Sequence, residues 1–447
     1  NWQSGMLTYD MMYQKRAKQG FDAAHISMTD LNLGVDSFAY DSTGIAANIR
    51  TANFKEKSGL IVNDLRTNFR LDANRFYLTP LYLRMPNTEL RGNFIMDLNA
   101  FADKNPGKFK INLDGFTHKN DLHAFLTSVP KRVMNALPSQ PIMLNGKVEG
   151  NMKALTFTKL HTAMPAHFDI TTNGTIANFQ ETALLRANLA VRGKAQDLGF
   201  IKKMLPAKTA KTFNLPRNMA FDAKVNARGK QYFGNVFLKE SGGNIYAKGS
   251  YNTANDVYAL TARANNFHIN HFVPNEDIKP FTGTIVMSGH GTDFLNPKSA
   301  LRLKLNIGKF AFGKYVLDGF GGDISLNSGI ANAHIVSTNK MIGGNFTYRG
   351  KLSDKAIDGR LRGWLRRIDL KRLGVMKDPW VVSTWADVNV KSNLKDYHFI
   401  KGPVRHFSLT SEERHGTKKL IAGDFDVVVN MIGKQLDTHL KGNLDYA

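Results

Sequence analysis

Residues 301–307 read LRLKLNI, in which every second residue is a large aliphatic one. A β-strand places successive side chains on opposite faces, so this stretch has one apolar face and one polar, mostly basic face. The same alternation recurs in residues 109–113 (FKINL), 386–391 (ADVNVK) and 424–431 (DFDVVVNM). Antiparallel sheets with one solvated face have this pattern, whereas parallel sheets buried on both faces do not. The sequence therefore predicts a mostly β protein built from an antiparallel sheet.

Composition restricts the class of protein further. The chain has 447 residues, of which 42% are hydrophobic and 22% charged, and this balance is typical of a folded globular chain. Lys and Arg number 60 against 37 Asp and Glu, so the net charge of +23 favours anionic partners such as nucleic acid, acidic lipid or lipopolysaccharide. Cysteine is absent, which excludes disulfides, thiolate zinc sites and thiol nucleophiles. No apolar run is long enough to predict a membrane-spanning helix.

Helical signals are few and short. Two segments, residues 120–137 and 196–213, are interrupted by Pro130 and Pro206, and each is followed by an alternating strand. Weaker signals lie at residues 268–273 and 366–374. We expect these to be the only helices, with over half of the residues in strands. The chain then forms one continuous repetitive β region whose approximate units are residues 1–117, 118–193, 194–266, 267–365 and 366–447.

Glycine marks irregular points in the predicted strands. After Ile307 the apolar positions shift by one residue, and a bulge at Gly308 would keep the inward face constant. The tripeptide Gly-Gly-Asn occurs at residues 242–244 and again at 343–345. We expect a hairpin turn or a bulge with positive φ at each tripeptide.

Several phrases resemble the TamB/AsmA-like family of Gram-negative envelope proteins. They are GKVEGNMKALTFTKL at residues 146–160, GGNIYAKG at 242–249 and GGNFTYRG at 343–350, together with the helix–Pro–strand units. In the N-terminal part, FDAAHISMTDLNL at residues 21–33 and EKSGLIVNDLRTNF at 56–69 are most similar to TamB-type chains of the Bacteroidetes kind. Because the chain begins at Asn1 and shows no leader, we expect a fragment or a processed product. Since neither the anchor helix nor the C-terminal docking region of this family is identified, the resemblance implies an internal piece of a longer protein.

The resemblance implies an elongated, strongly curved antiparallel sheet, folded like a taco around an apolar groove. It implies a location in the periplasm, with an inner-membrane anchor outside these residues. It also implies a role in carrying phospholipid toward the outer membrane, in assisting outer-membrane protein assembly, or in both. The implied partners are phospholipid acyl chains, an outer-membrane β-barrel protein of the TamA/BamA type, and outer-membrane protein clients. No cofactor is expected.

Physical reasoning is compatible with a groove. About 25 strands with one apolar face cannot stay flat and open in water, so they must close, pair into a sandwich, or curl around a ligand. We expect the alternating apolar residues to line the groove, the alternative being an ordinary sandwich core. The candidate lining residues are Phe109, Ile111, Leu113, Leu301, Leu303, Leu305, Ile307, Val388, Val390, Phe425, Val427 and Val429.

The sequence carries no enzyme signature, since HExxH, GxSxG, P-loop and Rossmann motifs are all absent. We therefore expect no catalytic residues. His268 and His271 are three residues apart on a predicted helix, but no third ligand is evident, so we expect no metal site.

Two other functions remain open from sequence. A periplasmic scaffold or chaperone that pairs its strands with outer-membrane clients would show the same alternation. A basic nucleic-acid-binding β protein would need clustered Lys and Arg. Here the basic residues are mostly single on the polar side of strands, apart from doublets such as 131–132, 202–203, 366–367 and 371–372 in the predicted helical segments. We therefore expect no nucleic-acid partner.

Overall fold

The computed structural model is mostly β, with 67% of residues in strands and 5% in helices. This confirms the predicted mostly β class and the expectation that over half of the chain is strand. The structure describes residues 1–10, 12, 15–22, 24–100, 102, 104–126, 129–179, 181–275, 277–293, 296, 298–353, 356–374, 376–393, 395–413, 416–433 and 435–446.

The chain separates into two compact units, Asn1–Tyr232 and Phe233–Ala447. The strands are, in chain order, β1 Trp2–Asp10, β2 His25–Asp41, β3 Gly44–Glu56, β4 Ile61–Asp72, β5 Arg75–Met85, β6 Thr88–Asp97, β7 Phe109–Thr117, β8 Ile142–Asn151, β9 Ala154–Met164, β10 Phe168–Ala177, β11 Arg186–Ala195, β12 Met219–Arg228, β13 Gln231–Glu240, β14 Gly243–Asn252, β15 Val257–Phe267, β16 Phe281–His290, β17 Ala300–Lys309, β18 Ala311–Phe312, β19 Tyr315–Val316, β20 Phe320–Asn327, β21 Ile330–Thr338, β22 Ile342–Leu352, β23 Ile357–Asp369, β24 Trp380–Ser392, β25 Tyr397–Glu413, β26 Gly416–Ile432 and β27 Gln435–Tyr446.

Strand pairing follows the chain. One antiparallel sheet contains 25 strands and is not closed, while β18 and β19 form a separate two-stranded hairpin. Within each unit most strands pair with their neighbours in sequence, for example β7 with β8 and β25 with β26, while β17 pairs with β20 across the β18–β19 hairpin. Short turns join many of these neighbours, such as β25 and β26, whereas longer segments that contain the helices join β7 to β8, β11 to β12 and β15 to β16.

The helical segments are shorter than the sequence predicts. Helix α1 covers Lys131–Ala136, α2 covers Gly199–Met204, α3 covers Ala207–Ala210, and a 3-10 turn covers Ile269–His271. Pro130 precedes α1 and Pro206 separates α2 from α3, as expected of a residue that lacks an N–H donor.

The fourth predicted helix, at residues 366–374, is wrong. Residues 366–369 complete strand β23, and the residues that follow form turns. Arg366 is exposed and Ile368 pairs with Val382 of β24, so pairing with a neighbouring strand overrides a weak helical pattern. The basic doublet at 366–367 therefore lies in a strand and not in a helical segment.

The glycine expectations are confirmed. The pairing of β16 with β17 skips Gly308, because Thr282 faces Lys309 while Gly283 faces Ile307. Of the two Gly-Gly-Asn tripeptides, the first contains Gly242 at φ +80° in the turn between β13 and β14. The second contains Gly344 at φ +157°, where the register between β22 and β23 shifts.

Three groups of buried apolar side chains lie on the sheet. In unit 1, Leu60, Val62, Met85 and Ala124 pack together. In unit 2, the rim cluster comprises Ala264, Phe267 and Phe281 at the ends of strands β15 and β16. The face cluster, also in unit 2, comprises Ala386, Val388, Val404, Phe425 and Val427 in strands β24–β26.

Candidate functional site

The candidate site is the apolar face of the sheet in unit 2. Residues directly opposite each other in an antiparallel pair point to the same face, so the register can be followed across many strands. Starting from Leu305, a continuous row of paired residues reaches Phe425. Its members are Leu305, Gly322, Ile335, Phe346, Gly363, Ala386, Val404 and Phe425.

Two further rows run beside the first. One connects Leu303 to Val388, through Ile324, Ala333, Tyr348 and Leu361. Another connects Leu301 to Val429, through Leu326, Ala331, Gly350, Gly359, Val390 and Ile400. Val427 faces Gly402, and Ile307 faces Phe320. The structure thus brings all predicted lining residues of unit 2 onto one face.

The predicted residues of unit 1 form a similar local face. Phe109, Ile111 and Leu113 lie in β7 between strands β6 and β8. On the β6 side they face Met96, Phe94 and Gly92, and on the β8 side Gly150, Val148 and Gly146. Leu113 therefore has glycine on both sides, Phe109 has glycine on one side, and Ile111 lies between two large apolar residues.

Exposure differs along the face of unit 2. Leu301, Leu303, Leu305 and Ile307 are half-buried, whereas Arg302 and the other polar residues between them are exposed. In the face cluster, Val388, Phe425 and Val427 are only 6–8% exposed. The apolar side chains packed against that cluster are Leu361, Leu365, Val390, Ile400, Phe407, Val429 and Leu444, and all of them lie in strands β23–β27.

The total accessible surface area also indicates that much of the sheet is exposed. The chain exposes 27665 Å². Two separate compact proteins of half this mass would together expose about 20,000 Å². Much of the sheet surface is therefore in contact with solvent.

Glycines allow close approach of neighbouring strands on this face. Gly363 has φ +145°, and a Cβ there would lie 2.4 Å from the carbonyl oxygen of Asn345. Gly402 has φ +151°, and a Cβ there would lie 3.0 Å from Cα of Val388. Only glycine adopts this backbone conformation without strain.

The opposite face is mostly polar, although Val286, Val336 and Trp364 are exposed on it, and it carries ion pairs between strands. Lys391 lies 3.3 Å from Asp358, and Arg360 lies 2.5 Å from Asp387. The Arg360 guanidinium donates hydrogen bonds to Asp387 and lowers the pKa of that carboxyl group, against a smaller opposing effect of burial. Paired charges of this kind keep the face hydrated and reduce its uniform positive charge.

Tyr348 is a polar residue on the apolar face that sequence analysis did not select. Its hydroxyl group donates to the carbonyl oxygen of Lys351 at 3.1 Å, and burial raises the pKa of the phenol. Phe346, Leu361 and Ile400 were also missed. Phe346 lies between Asn345 and Thr347, Leu361 between two arginines, and Ile400 between Phe399 and Lys401. A longer search for period-two apolar positions would have found them.

The two histidines of the predicted helical segment 268–273 lie near a third group. The sequence argument against a metal site rested on the lack of a third ligand, and Glu240 of β13 supplies such a group. The sequence gives no signal for this contact, because Glu240 is far from both histidines along the chain.

Comparison of the chain with protein-family models, with curated proteins and with solved structures finds no match. The similarity to TamB/AsmA-like proteins therefore rests on the quoted sequence phrases alone. Among the described residues, no helix has both the length and the apolar character needed to cross a bilayer. A function for the chain must be argued from the apolar face itself.

Proposed function

We propose that the chain is a non-enzymatic, groove-forming β protein that carries phospholipid acyl chains between the two membranes of a Gram-negative envelope. The observation that carries this proposal is the continuous apolar row from Leu305 to Phe425. A face that is apolar across many consecutive strands suits an extended apolar ligand better than a compact one.

Burial in the face cluster supports a curved sheet. Phe425 is 6% exposed although its apolar neighbours all belong to the same five strands. In a flat sheet, neighbours beside a side chain leave its tip exposed. A concave face brings the tips together, so lateral neighbours alone can bury Phe425, and a groove with a narrow floor is the arrangement we propose.

The energetic need for such a groove is large. Exposing a 16-carbon acyl chain to water costs on the order of 12 kcal/mol, at about 0.8 kcal/mol per methylene group. A lipid crossing an aqueous compartment without cover would pass this barrier rarely. Half-buried residues such as Leu303 and Leu305 retain apolar surface that an acyl chain can cover.

The polar face has a different role in this proposal. Its exposed basic residues, such as Arg302 and Lys304, alternate with the apolar lining along the same strand. Lys304 approaches Asp323 of the next strand at 4.0 Å, and both side chains are mostly exposed. In this proposal the polar face is in contact with water, and the apolar face is in contact with lipid.

Photocrosslinking in cells tests the proposal directly. A photoreactive amino acid at position 305 should capture phospholipid, which mass spectrometry of the purified adduct would identify. The same residue at position 306 is the matched control, because Asn306 is exposed on the polar face of the same strand. The control should capture little lipid.

The outcome also separates lipid carriage from strand-pairing assistance to outer-membrane proteins. Capture of phospholipid at 305 and not at 306 supports carriage. Capture of outer-membrane proteins at both positions, with no lipid, would replace carriage by the scaffold function. Equal lipid capture at both positions would mean that the apolar face has no specific role.

A further inference from the structure

Three side chains with metal-binding atoms meet at one rim of the sheet in unit 2. Glu240 is the last residue of β13, while His268 directly precedes the 3-10 turn Ile269–His271. Nδ1 of His271 donates to Oε1 of Glu240 at 2.6 Å, and Nδ1 of His268 lies 3.7 Å from Oε2. The imidazole rings stack with centroids 4.8 Å apart and planes at 9°. One ligand atom from each residue lies within 4.8 Å of the others.

Two of these atoms are buried without a hydrogen-bond partner. The Glu240 side chain is 1% exposed, and its Oε2 has no partner among the described residues. Nδ1 of His268 is likewise buried and unpartnered. Burial of an unpartnered carboxylate oxygen is strongly unfavourable, so such an atom calls for a compensating cation. The unpartnered oxygen and nitrogen are also the two that lie 3.7 Å apart.

Local structure holds the three residues in place. A tight turn of Ser241 and Gly242, with φ +45° and +80°, ends β13 immediately after Glu240. The Ser241 hydroxyl group donates to Oε1 of Glu240. On the histidine side, Phe267 and Phe272 stack with centroids 5.1 Å apart, which attaches the 3-10 turn to the rim cluster. Both sides of the site are therefore supported by neighbouring contacts.

We propose that Glu240, His268 and His271 bind a divalent transition-metal ion of the zinc class. Two imidazole nitrogens and one carboxylate oxygen suit Zn²⁺, whereas Mg²⁺ and Ca²⁺ prefer oxygen ligands alone. With bonds of about 2.0–2.2 Å, ligand atoms in a tetrahedral zinc site lie about 3.3–3.6 Å apart. The 3.7 Å separation between Oε2 of Glu240 and Nδ1 of His268 is close to that value.

To bind the ion, the most exposed of the three ligands would have to change its orientation. His271 is 37% exposed, so its ring can turn away from Oε1 of Glu240 and present a nitrogen to the ion. A water molecule could supply the fourth ligand of such an ion. Such an ion would fasten the 3-10 turn to the end of β13 and so hold the cap on the rim cluster. This role is independent of lipid carriage.

Zinc titration of the metal-free chain tests the site. Isothermal calorimetry should show one saturable Zn²⁺ site per chain, and Co²⁺ should give the visible spectrum of a four-coordinate ion. Glu240→Gln keeps an acceptor for His271 and Ser241 but removes the carboxylate. We expect this variant, and His268→Gln separately, to weaken Zn²⁺ binding by at least about 100-fold, because direct ligands contribute more than their supporting residues do.

His161→Gln is the matched control. His161 lies 2.9 Å from Asp169 in an exposed pair. Substituting His161 should therefore leave the Zn²⁺ affinity unchanged. Circular dichroism of the metal-free variants reports whether they fold. If Glu240→Gln unfolds, the double variant His268→Gln, His271→Gln replaces only the more exposed groups and carries the test. Absence of a saturable site in the wild type, or equal affinity in the folded variants, would overturn the proposal.

Discussion

The rim cluster and the face cluster both bury apolar residues of the same sheet, but different neighbours cover them. At the rim, Phe267 and Phe281 pack against Ile269 and Phe272 from a connecting segment. On the face, the apolar side chains that pack with Val388, Phe425 and Val427 lie, among the described residues, in strands β23–β27. Similar exposure, 6–8%, therefore arises from a covering segment in one region and from lateral strand neighbours in the other.

The same alternating sequence pattern can therefore produce either a closed core or an open apolar face. A side chain covered by a connecting segment is part of a closed core, so a charge placed there has no route to water. On the face, half-buried side chains such as Leu303 and Leu305 lie next to space that water or a ligand can enter. Substitutions that compare the two regions therefore test whether the face is a groove or a core.

The largest effect is expected at the rim. Phe281→Asp places a carboxylate in the rim cluster, where Phe281 is 6% exposed. We expect a loss of at least about 4 kcal/mol in the free energy of unfolding, from lost packing and burial of charge. Urea unfolding followed by circular dichroism measures it. Phe312→Asp is the control, because Phe312 is 44% exposed and should change stability little. Equal losses in both variants would contradict a closed rim.

A smaller loss is expected from the backbone of the face. Gly363→Ala adds a Cβ beside the carbonyl oxygen of Asn345 at φ +145°. We expect about 2–3 kcal/mol of destabilisation in the same urea experiment, because L-residues rarely adopt this conformation. At Gly321 the nearest atom to an added Cβ is 3.7 Å away, so Gly321→Ala should change stability by about 0.5 kcal/mol or less. A neutral Gly363→Ala would mean that the strands there can separate at little cost.

The test of the groove itself is Leu305→Asp. If the half-buried residue faces an open groove, the carboxylate finds water and the loss should be about 1–2 kcal/mol, with the fold retained and lipid capture by a photoreactive residue at position 303 abolished. In a filled sandwich core the same change would cost several kcal/mol. Asn306→Asp on the polar face should leave both stability and lipid capture unchanged. Unfolding of Leu305→Asp, together with no lipid capture by the photoreactive residue at 305, would refute carriage by this segment.

The smallest effect is expected on the polar face. Arg360→Gln removes a partner of Asp387, and we expect only a small loss of stability near pH 7, because the Arg360 side chain is 62% exposed and solvent screens the ion pair. Because the pKa of Asp387 is lowered in the folded state, its carboxylate stabilises the fold at pH values above the unfolded-state pKa of about 3.9. It is lost as the pH falls through the lower folded-state pKa.

Urea unfolding at several pH values checks this dependence. The stability difference between wild type and Arg360→Gln should shrink as the pH falls below about 4. Lys391→Gln is the control, since Lys391 and Asp358 are both more than half exposed and should contribute about 0.5 kcal/mol or less. A difference that stays constant down to acid pH would show that Arg360 acts through packing and not through charge.

Much of this fold is predictable from local pattern. Alternation at residues 301–307 has a direct physical meaning, because strand side chains point to opposite faces with a period of two. The skipped residue Gly308 follows from the shift in that alternation. The face shared by Leu305 and Phe425 also follows from alternation once strands pair in chain order, as the short turns between them favour.

What depends on distant parts of the chain required the tertiary structure. Strand β24 draws residues 366–369 into β23, because pairing outweighs a weak helical preference. Lateral burial of Phe425 depends on the simultaneous positions of five strands. The contact of Glu240 with His268 and His271 joins two rim segments on either side of an intervening hairpin. Sequence alone determined which face of each strand is apolar, since that property is local. Only the tertiary structure decided what covers each face, since that depends on which distant residues meet.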